Sequence, residues 1–134
     1  MAVVSGTVSS VEIIKGNDRD PLLFANVFFT VSGTYAQADN GILTGVAGLI
    51  GASRRNGKTL TLRSVGMWQP ARRASDPSLL LGMKTVAIST NDVTFEITNG
   101  STANTIEFST EFTDGAAVPS QATPFGLLVG FTEA

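Results

Sequence analysis

Three glutamates in the C-terminal half of the chain are the first candidates for catalytic residues. Glycosidases place two carboxylates on either side of the bond that they break, and Glu96, Glu107 and Glu111 offer such pairs. However, alternation of apolar and polar residues predicts that all three project outward from strands, where β-proteins carry ordinary surface charges. The chain also has one tyrosine and one tryptophan, which is few for a cleft that stacks sugar rings.

A phosphate-binding loop is suggested by Gly57-Lys58-Thr59. That motif needs a glycine five positions before the glycine of its GK[ST] end. Ala52 holds this position, and Gly51 comes one residue too early. A phosphate loop also leaves a strand and opens a helix, whereas this segment follows a predicted helix and precedes a predicted strand. The pattern therefore favours a turn at Asn56-Gly57.

Asp18 and Asp20 have the spacing of some calcium loops, within the predicted turn from Gly16 to Pro21. No bidentate glutamate follows at the distance that an EF-hand requires. Whether these two carboxylates bind an ion stays open, and we expect no metal centre and no cofactor.

Composition removes the commonest catalytic chemistries. The 134 residues include no histidine and no cysteine, so the chain alone cannot form a Ser-His-Asp or Cys-His site or a disulfide. It has no apolar run of about 20 residues that would span a membrane, and its start lacks the basic segment of a signal peptide. The length fits a single β-rich domain over residues 1–134. We predict that the protein is not an enzyme.

Apolar periodicity predicts a mainly β protein with one short helix, arranged as an antiparallel β-sandwich or barrel. The helix is predicted over residues 41–54, because Ile42, Val46 and Ile50 recur on one helical face, and Asp39 or Asn40 could cap it. In a hairpin over residues 84–98 that turns at Asn91-Asp92, Val86 and Ile88 are predicted to face inward. The other strands are predicted over residues 7–15, 22–31, 58–68, 104–113 and 125–132.

A long irregular loop from Gln69 to Gly82 is the predicted contact surface of the protein. Loops of this length in a compact domain are usually functional or disordered, and consecutive leucines argue against disorder. Tryptophan and arginine are common anchors of protein interfaces, although a lone tryptophan also fits the core. The candidate contact residues are Trp68, Arg72, Arg73, Leu79, Leu80 and Leu81.

Charge is unevenly distributed along the chain. Residues 54–84 carry seven basic side chains and one acidic side chain, whereas residues 85–134 carry six acidic side chains and no basic one. The two blocks could pair across strands within one fold, or they could join the basic side of one copy to the acidic side of another. The net charge of −2 and the single aromatic residue of the basic block do not favour nucleic-acid binding.

The chain as a whole resembles small virion proteins of tailed bacteriophages, particularly head decoration (cement) proteins. The similarity lies in its short cysteine-free length, in Thr/Gly/Ala-rich strands such as TVAISTNDVTFEIT, and in the apolar segment FGLLVGFTEA. It implies a structural protein, made in the host cytoplasm and located in the virion, which binds the major capsid protein or other virion subunits. It also implies a homo-oligomer, either dimer or trimer, without an active site, nucleic-acid partner or membrane partner.

This resemblance further implies that neighbours are contacted by an N-terminal arm over residues 1–6, by the Trp68–Gly82 loop and by a C-terminal tail over residues 125–134. Arg72 and Arg73 would pair with acidic groups of the capsid shell. Two other functions remain open. One is a tail-tube or connector subunit, for which opposite charge blocks would suit head-to-tail stacking. The other is a carbohydrate-binding β-module, which a convex distribution of aromatic residues would support.

Overall fold

The fold is a single curled sheet that forms a half-barrel, with one helix packed against it. It is seen in a computed structural model that describes residues 4–14, 23–77, 79–100 and 110–134. Within these ranges the elements are β1 (Val4–Ile14), β2 (Leu23–Ser32), β3 (Gly41–Leu43), α1 (Val46–Arg54), β4 (Leu60–Gln69), β5 (Ala71–Arg73), β6 (Leu80–Ile88), β7 (Val93–Asn99), β8 (Gln121–Thr123) and β9 (Phe125–Glu133). The predicted mainly β, barrel-like class with one short helix is confirmed. Because β1 and β3 run parallel, the sheet is mixed rather than wholly antiparallel.

The two ends of the sheet are joined by one bent ribbon. The strand order is β4-β9-β2-β1-β3-β7-β6-β5-β8, so the pair β4–β9 lies at one end and the pair β5–β8 at the other. Pro70 connects β4 to β5, and Pro124 connects β8 to β9. Proline has no N–H to donate to a ladder, so both strands of the ribbon break at the same corner. Gln69 Nε2 donates to the Pro124 carbonyl across this corner at 2.9 Å.

Alternation along β2 builds the core as the sequence predicts. Ala25, Val27 and Phe29 are fully buried inside the curl, and Val31 is nearly so. The Phe29 ring stacks on Phe125 at a centroid distance of 5.3 Å. Inward side chains of β7 and β9 complete this layer, namely Val93, Phe95, Ile97, Leu127, Val129 and Phe131. Burial of these aromatic and branched side chains is the main stabilising contribution to the fold.

The predicted start of the helix is wrong by five residues, because α1 begins at Val46. Gly41 to Leu43 instead form β3, which pairs with β1 and β7. A Cβ at Gly41 would lie 2.5 Å from Phe95 Cε2, so only glycine fits where this strand crosses the ring. The apolar residues of β3 fall at positions that continue the helical spacing of α1. The sequence therefore predicted one helix where the structure has a strand followed by a helix.

The start of α1 is capped by the β6–β7 turn rather than by Asp39 or Asn40. Gly45 N–H donates to Asp92 Oδ1 at 2.9 Å, and Gly48 N–H donates to Asn91 Oδ1 at 3.0 Å. Val46 N–H donates to the Asn91 carbonyl at 2.8 Å. The predicted hairpin and its Asn91-Asp92 turn are therefore confirmed, and the turn also satisfies amide groups that a helix start leaves without partners.

Asp92→Ala is expected to lower the free energy of unfolding by about 1 kcal/mol, because the amide of Gly45 loses its acceptor. Asp92→Asn keeps a carbonyl oxygen in the same place and is expected to cost less. Urea unfolding followed by circular dichroism measures both changes. An equally large loss from the asparagine variant would contradict this assignment of the cap.

The inward position predicted for Val86 is wrong. The register of β6 against β7 shifts between Thr85 and Ala87, and a bulge of this kind turns a side chain to the other face. Val86 is consequently 47% exposed. Ile88, beyond the bulge, packs against the core as predicted.

The side chain of Gln121 takes the place of a strand partner at the end of β2. Its Oε1 accepts a hydrogen bond from Val31 N–H at 2.8 Å, and its Nε2 donates to the Val31 carbonyl at 3.1 Å. Both backbone groups of Val31 are therefore satisfied by one amide.

Several predicted features lie outside the described residues. One is the turn at residues 16–21, which contains Asp18 and Asp20. Another is the part of the predicted strand over residues 104–109, which contains Glu107. The third is residues 1–3 of the predicted N-terminal arm. Residues 4–6 of that arm are the start of β1, and the predicted C-terminal tail is β9, paired on both sides by β2 and β4. Only outward side chains of β9 are therefore available to neighbours.

Candidate contact surface

Half of the predicted loop from Gln69 to Gly82 belongs to the sheet. It contains the end of β4, the whole of β5 and the start of β6, and Pro70 separates β4 from β5. Leu80 and Leu81 are 3% and 0% exposed and belong to the core, while Leu79 is half-buried. Leu80 and Leu81 are therefore buried, as their apolar character predicts, and they do not contribute to the exposed surface.

Arg72 and Arg73 point to opposite sides of β5, as neighbours on a strand must. Arg72 is exposed, and its Nη1 donates to the Pro77 carbonyl at 2.8 Å. Arg73 is half-buried, and its buried Nε has no hydrogen-bond partner among the described residues. The two arginines therefore do not form one cationic cluster, and Arg72 is the more exposed of the two.

Trp68 lies on the outer face of the sheet and is 49% exposed. Its indole covers Gly126, where an added Cβ would come within 3.1 Å of the ring. The Phe28 ring meets the indole edge-on, with centroids 5.8 Å apart and an interplanar angle of 79°. A glycine below and an aromatic ring beside it hold the indole as a fixed apolar platform.

Trp68 belongs to a larger group of apolar side chains, which we name the outer apolar strip. The strip crosses β1, β2, β9 and β4 on the side away from the core and consists of Ile14, Phe24, Phe28, Trp68 and Leu128. Phe24 and Phe28, on the outer face of β2, are half-buried. Exposed apolar side chains grouped on one face of a sheet commonly mark an interaction site.

The basic and acidic blocks of the sequence are joined within the fold by an ion pair between Arg54 and Glu133. Arg54 Nη2 lies 2.6 Å from Glu133 Oε1, and Asn56 Nδ2 donates to Glu133 Oε2 at 2.7 Å. These hydrogen bonds, chiefly those from Arg54, hold the pKa of the Glu133 carboxyl below its ordinary value. Lys84 also faces Glu96 in the register of β6 and β7. Both observations support pairing inside one chain.

Glu111 is half-buried and directs its carboxylate to a core side chain, contrary to its predicted outward position. Its Oε2 accepts a hydrogen bond at 2.7 Å from the hydroxyl of Tyr35, which is fully buried. Burial, followed by the contact with Glu111, raises the pKa of Tyr35 well above its usual range. The hydroxyl oxygen also accepts from Ile97 N–H at 3.3 Å. This carboxylate therefore satisfies a buried phenol, and no sequence pattern indicated the pairing.

Other possible sites are poorly equipped for chemistry. A groove of about 360 Å³ separates α1 from β1, and Arg55 is the one charged residue that lines it. Nowhere in the described part of the chain do three potential metal ligands cluster. No helix among these residues has the length and apolar character needed to cross a membrane.

Comparisons with known proteins give no relative. No family model, no curated protein and no solved structure matches this chain. What the outer apolar strip and the exposed Arg72 could bind therefore follows from their residue types, exposure and charge.

Proposed function

We propose that this protein is a structural virion component, a capsid decoration (cement) protein that binds between subunits of a phage head. The resemblance described above motivates the virion role. The observation that carries the binding role is the half-exposed indole of Trp68, held between Gly126 and Phe28 on the outer face of the sheet. A fixed aromatic platform suits recognition of another protein.

Trp68 has the residue type and the packing of an interface anchor. Binding sites concentrate their free energy in a few tryptophan, tyrosine and arginine side chains. The contacts of Trp68 with Phe28 and Gly126 restrict the indole before binding, so less conformational entropy is lost on association. Arg72 follows on the same ribbon, within about 14 Å of Trp68 for an extended chain, and adds an exposed positive charge suited to an acidic group of the shell.

Trp68→Ala is expected to weaken binding to the parent particle by roughly 25-fold, as for the loss of a hot spot of about 2 kcal/mol. Val86→Ala is the matched control, because Val86 has nearly the same exposure at 47% but lies on β6. Each variant is added to particles stripped of this protein, and the bound copies are counted by mass spectrometry after density-gradient separation. Equal binding of the two variants would contradict the role of Trp68.

Arg72→Glu in the same assay tests the cationic part of the surface. The expected result is weaker binding whose deficit shrinks in high salt, since exposed charge pairs are screened. Arg73 is left unchanged, because its guanidinium is partly buried and a reversal there would disturb the fold.

Copy number in the native source separates the virion roles. Hundreds of copies per intact particle would support decoration, whereas a handful would point to a tail-tube or connector subunit. Recovery in the light soluble fractions alone would overturn the structural role.

A carbohydrate-binding β-module is the second candidate, favoured by the position of Trp68 and Phe28 on the convex side of the sheet. An exposed indole on a convex sheet could stack against a sugar ring. Binding of soluble oligosaccharides that quenches the fluorescence of the single tryptophan, together with no binding to the particle, would replace the decoration role with this one.

A further inference from the structure

Three Asn-Gly pairs occur in the chain, at residues 40–41, 56–57 and 99–100. An asparagine followed by glycine can deamidate without an enzyme, because its side-chain amide carbon lies within reach of the next backbone nitrogen. Glycine has no Cβ to obstruct that approach. The reaction requires that the side chain and the following peptide can turn into the attacking geometry. The surroundings of the three pairs differ in whether they allow this.

Two of the pairs are held by the sheet. Gly41 lies in β3 between β1 and β7, and a Cβ there would come 2.5 Å from the ring of Phe95. Gly100 N–H donates to the Leu80 carbonyl at 3.0 Å, and Asn99 is the last residue of β7. Neither peptide can rotate towards its asparagine without breaking contacts of the sheet.

The pair Asn56-Gly57 lies in the turn between α1 and β4. Both residues are exposed. Gly57 has a φ of 70°, and no atom lies within 4 Å of the position that a Cβ would occupy. Among the described residues, the Gly57 N–H has no hydrogen-bond partner. This peptide can therefore turn towards the asparagine without loss of strand pairing.

Hydrogen bonds also orient the Asn56 amide for the reaction. Lys58 N–H donates to its Oδ1 at 3.1 Å, and its Nδ2 donates to Glu133 Oε2 at 2.7 Å. The first contact faces the oxygen on which negative charge develops, as a donor of an oxyanion hole does. Arg55 and Lys58 precede and follow the pair in the sequence, and nearby positive charge favours loss of the Gly57 amide proton.

We propose that Asn56 is a site of spontaneous deamidation in the folded protein. The Gly57 nitrogen loses its proton and bonds to the side-chain carbonyl carbon of Asn56. The bond from that carbon to Nδ2 breaks, and ammonia leaves with the proton. Water then opens the cyclic imide at either carbonyl and yields aspartate or isoaspartate. The inference goes beyond the proposed virion role and does not depend on it.

Deamidation replaces a hydrogen-bond donor by an acceptor beside Glu133. The Nδ2 that donates to Glu133 becomes a carboxylate oxygen, so two carboxylates face each other at the junction of α1 and β9. Like charges at this distance disfavour each other. The aged protein is therefore expected to unfold at a lower guanidinium midpoint than the fresh protein, and Asn56→Asp is expected to show a shift in the same direction. An unchanged midpoint for Asn56→Asp would contradict this consequence.

Peptide mapping by mass spectrometry measures deamidation at all three pairs in the same sample. The folded wild-type chain is incubated at neutral pH for several weeks, and the mass change from amide to acid is followed in peptides that contain one pair each. Asn56 is expected to deamidate at least about tenfold faster than Asn40 and Asn99. In guanidinium the three rates are expected to converge, because each pair then has a flexible backbone.

Asn56→Gln is the control that removes the site, because glutamine would have to close a larger ring. Over the same period the aged wild-type chain is expected to gain negative charge in anion exchange and to become a substrate of an isoaspartyl methyltransferase, whereas the variant does neither. Circular dichroism verifies that both chains remain folded. A folded chain in which Asn56 stays intact, or reacts no faster than Asn40 and Asn99, would overturn the proposal.

Discussion

Phe29→Ala is expected to lower the free energy of unfolding by about 3–5 kcal/mol, whereas Phe28→Ala is expected to cost about 1 kcal/mol or less. The two residues are consecutive on β2 and identical in type, but they project from opposite faces. Phe29 is fully buried, stacks on Phe125 and lies 5.8 Å from the ring of Phe95. Its removal leaves a large cavity in a layer of rigid rings, whereas Phe28 loses one half-exposed contact.

Guanidinium unfolding followed by circular dichroism measures both free energies. Phe28→Ala provides a second readout, because the indole of Trp68 loses its neighbouring ring and its fluorescence emission is expected to move to longer wavelength. Similar losses of stability from the two variants would mean that β2 does not separate a core face from an outer face.

Glu133→Gln is expected to cost about 2 kcal/mol at neutral pH, within the range for hydrogen bonds to charged groups. Arg54 Nε lies 3.2 Å from each carboxylate oxygen, and Arg54 Nη2 and Asn56 Nδ2 add two shorter contacts. The pair joins the end of α1 to the end of β9, so its loss is expected to loosen the helix as well. A double-mutant cycle with Arg54→Gln isolates the coupling from other effects of either substitution.

The same pair gives stability a defined dependence on pH. Arg54 lowers the pKa of Glu133 in the folded chain below the ordinary value of 4.5. The contribution of this ion pair to the free energy of unfolding is therefore fully present at pH values above 4.5. It is lost as the pH falls through the lower pKa of the folded state. Urea titrations between about pH 5 and pH 2 are expected to show a steeper loss for wild type than for Glu133→Gln. Identical acid profiles would show that this carboxylate is not linked to folding.

The sequence predicted two kinds of strand correctly. These are strands that pair with a partner nearby in the chain, and strands in which apolar and polar residues alternate over many positions. β2, β7 and β9 have uninterrupted alternation, and each corresponds to a strand that the sequence predicted. The three-residue strands β3, β5 and β8 were missed, since a segment of three residues is too short to show a period. Their pairing depends on distant partners, such as Phe95 opposite Gly41.

Side-chain direction at the candidate site could not be predicted for a related reason. The register of β4 against β9 shifts between Leu62 and Ser64 and again between Met67 and Gln69. These bulges place Arg63 and Trp68 on the outer face, and no local rule positions them. The glycine that accommodates the indole, Gly126, lies far along the chain, as does Asp92 from the helix start that it caps. Arg72 and Arg73 were predicted as a pair because they are adjacent in sequence. Adjacency does not show that the two side chains lie on opposite sides of a short strand, one of which is covered.

The interior place of β9 has a consequence for how the protein is made. β9 lies between β2 and β4, and its residues leave the ribosome after those of every other described strand. Until they emerge, both flanking strands have unpaired edges, and the buried face of β2 lacks Leu127, Val129 and Phe131. Exposed edges and apolar faces of this kind promote aggregation of nascent chains. Pairing across such long separations is also slow. We therefore expect the sheet to close only after β9 has emerged from the ribosome, and a cell that makes many copies would need chaperones during that interval.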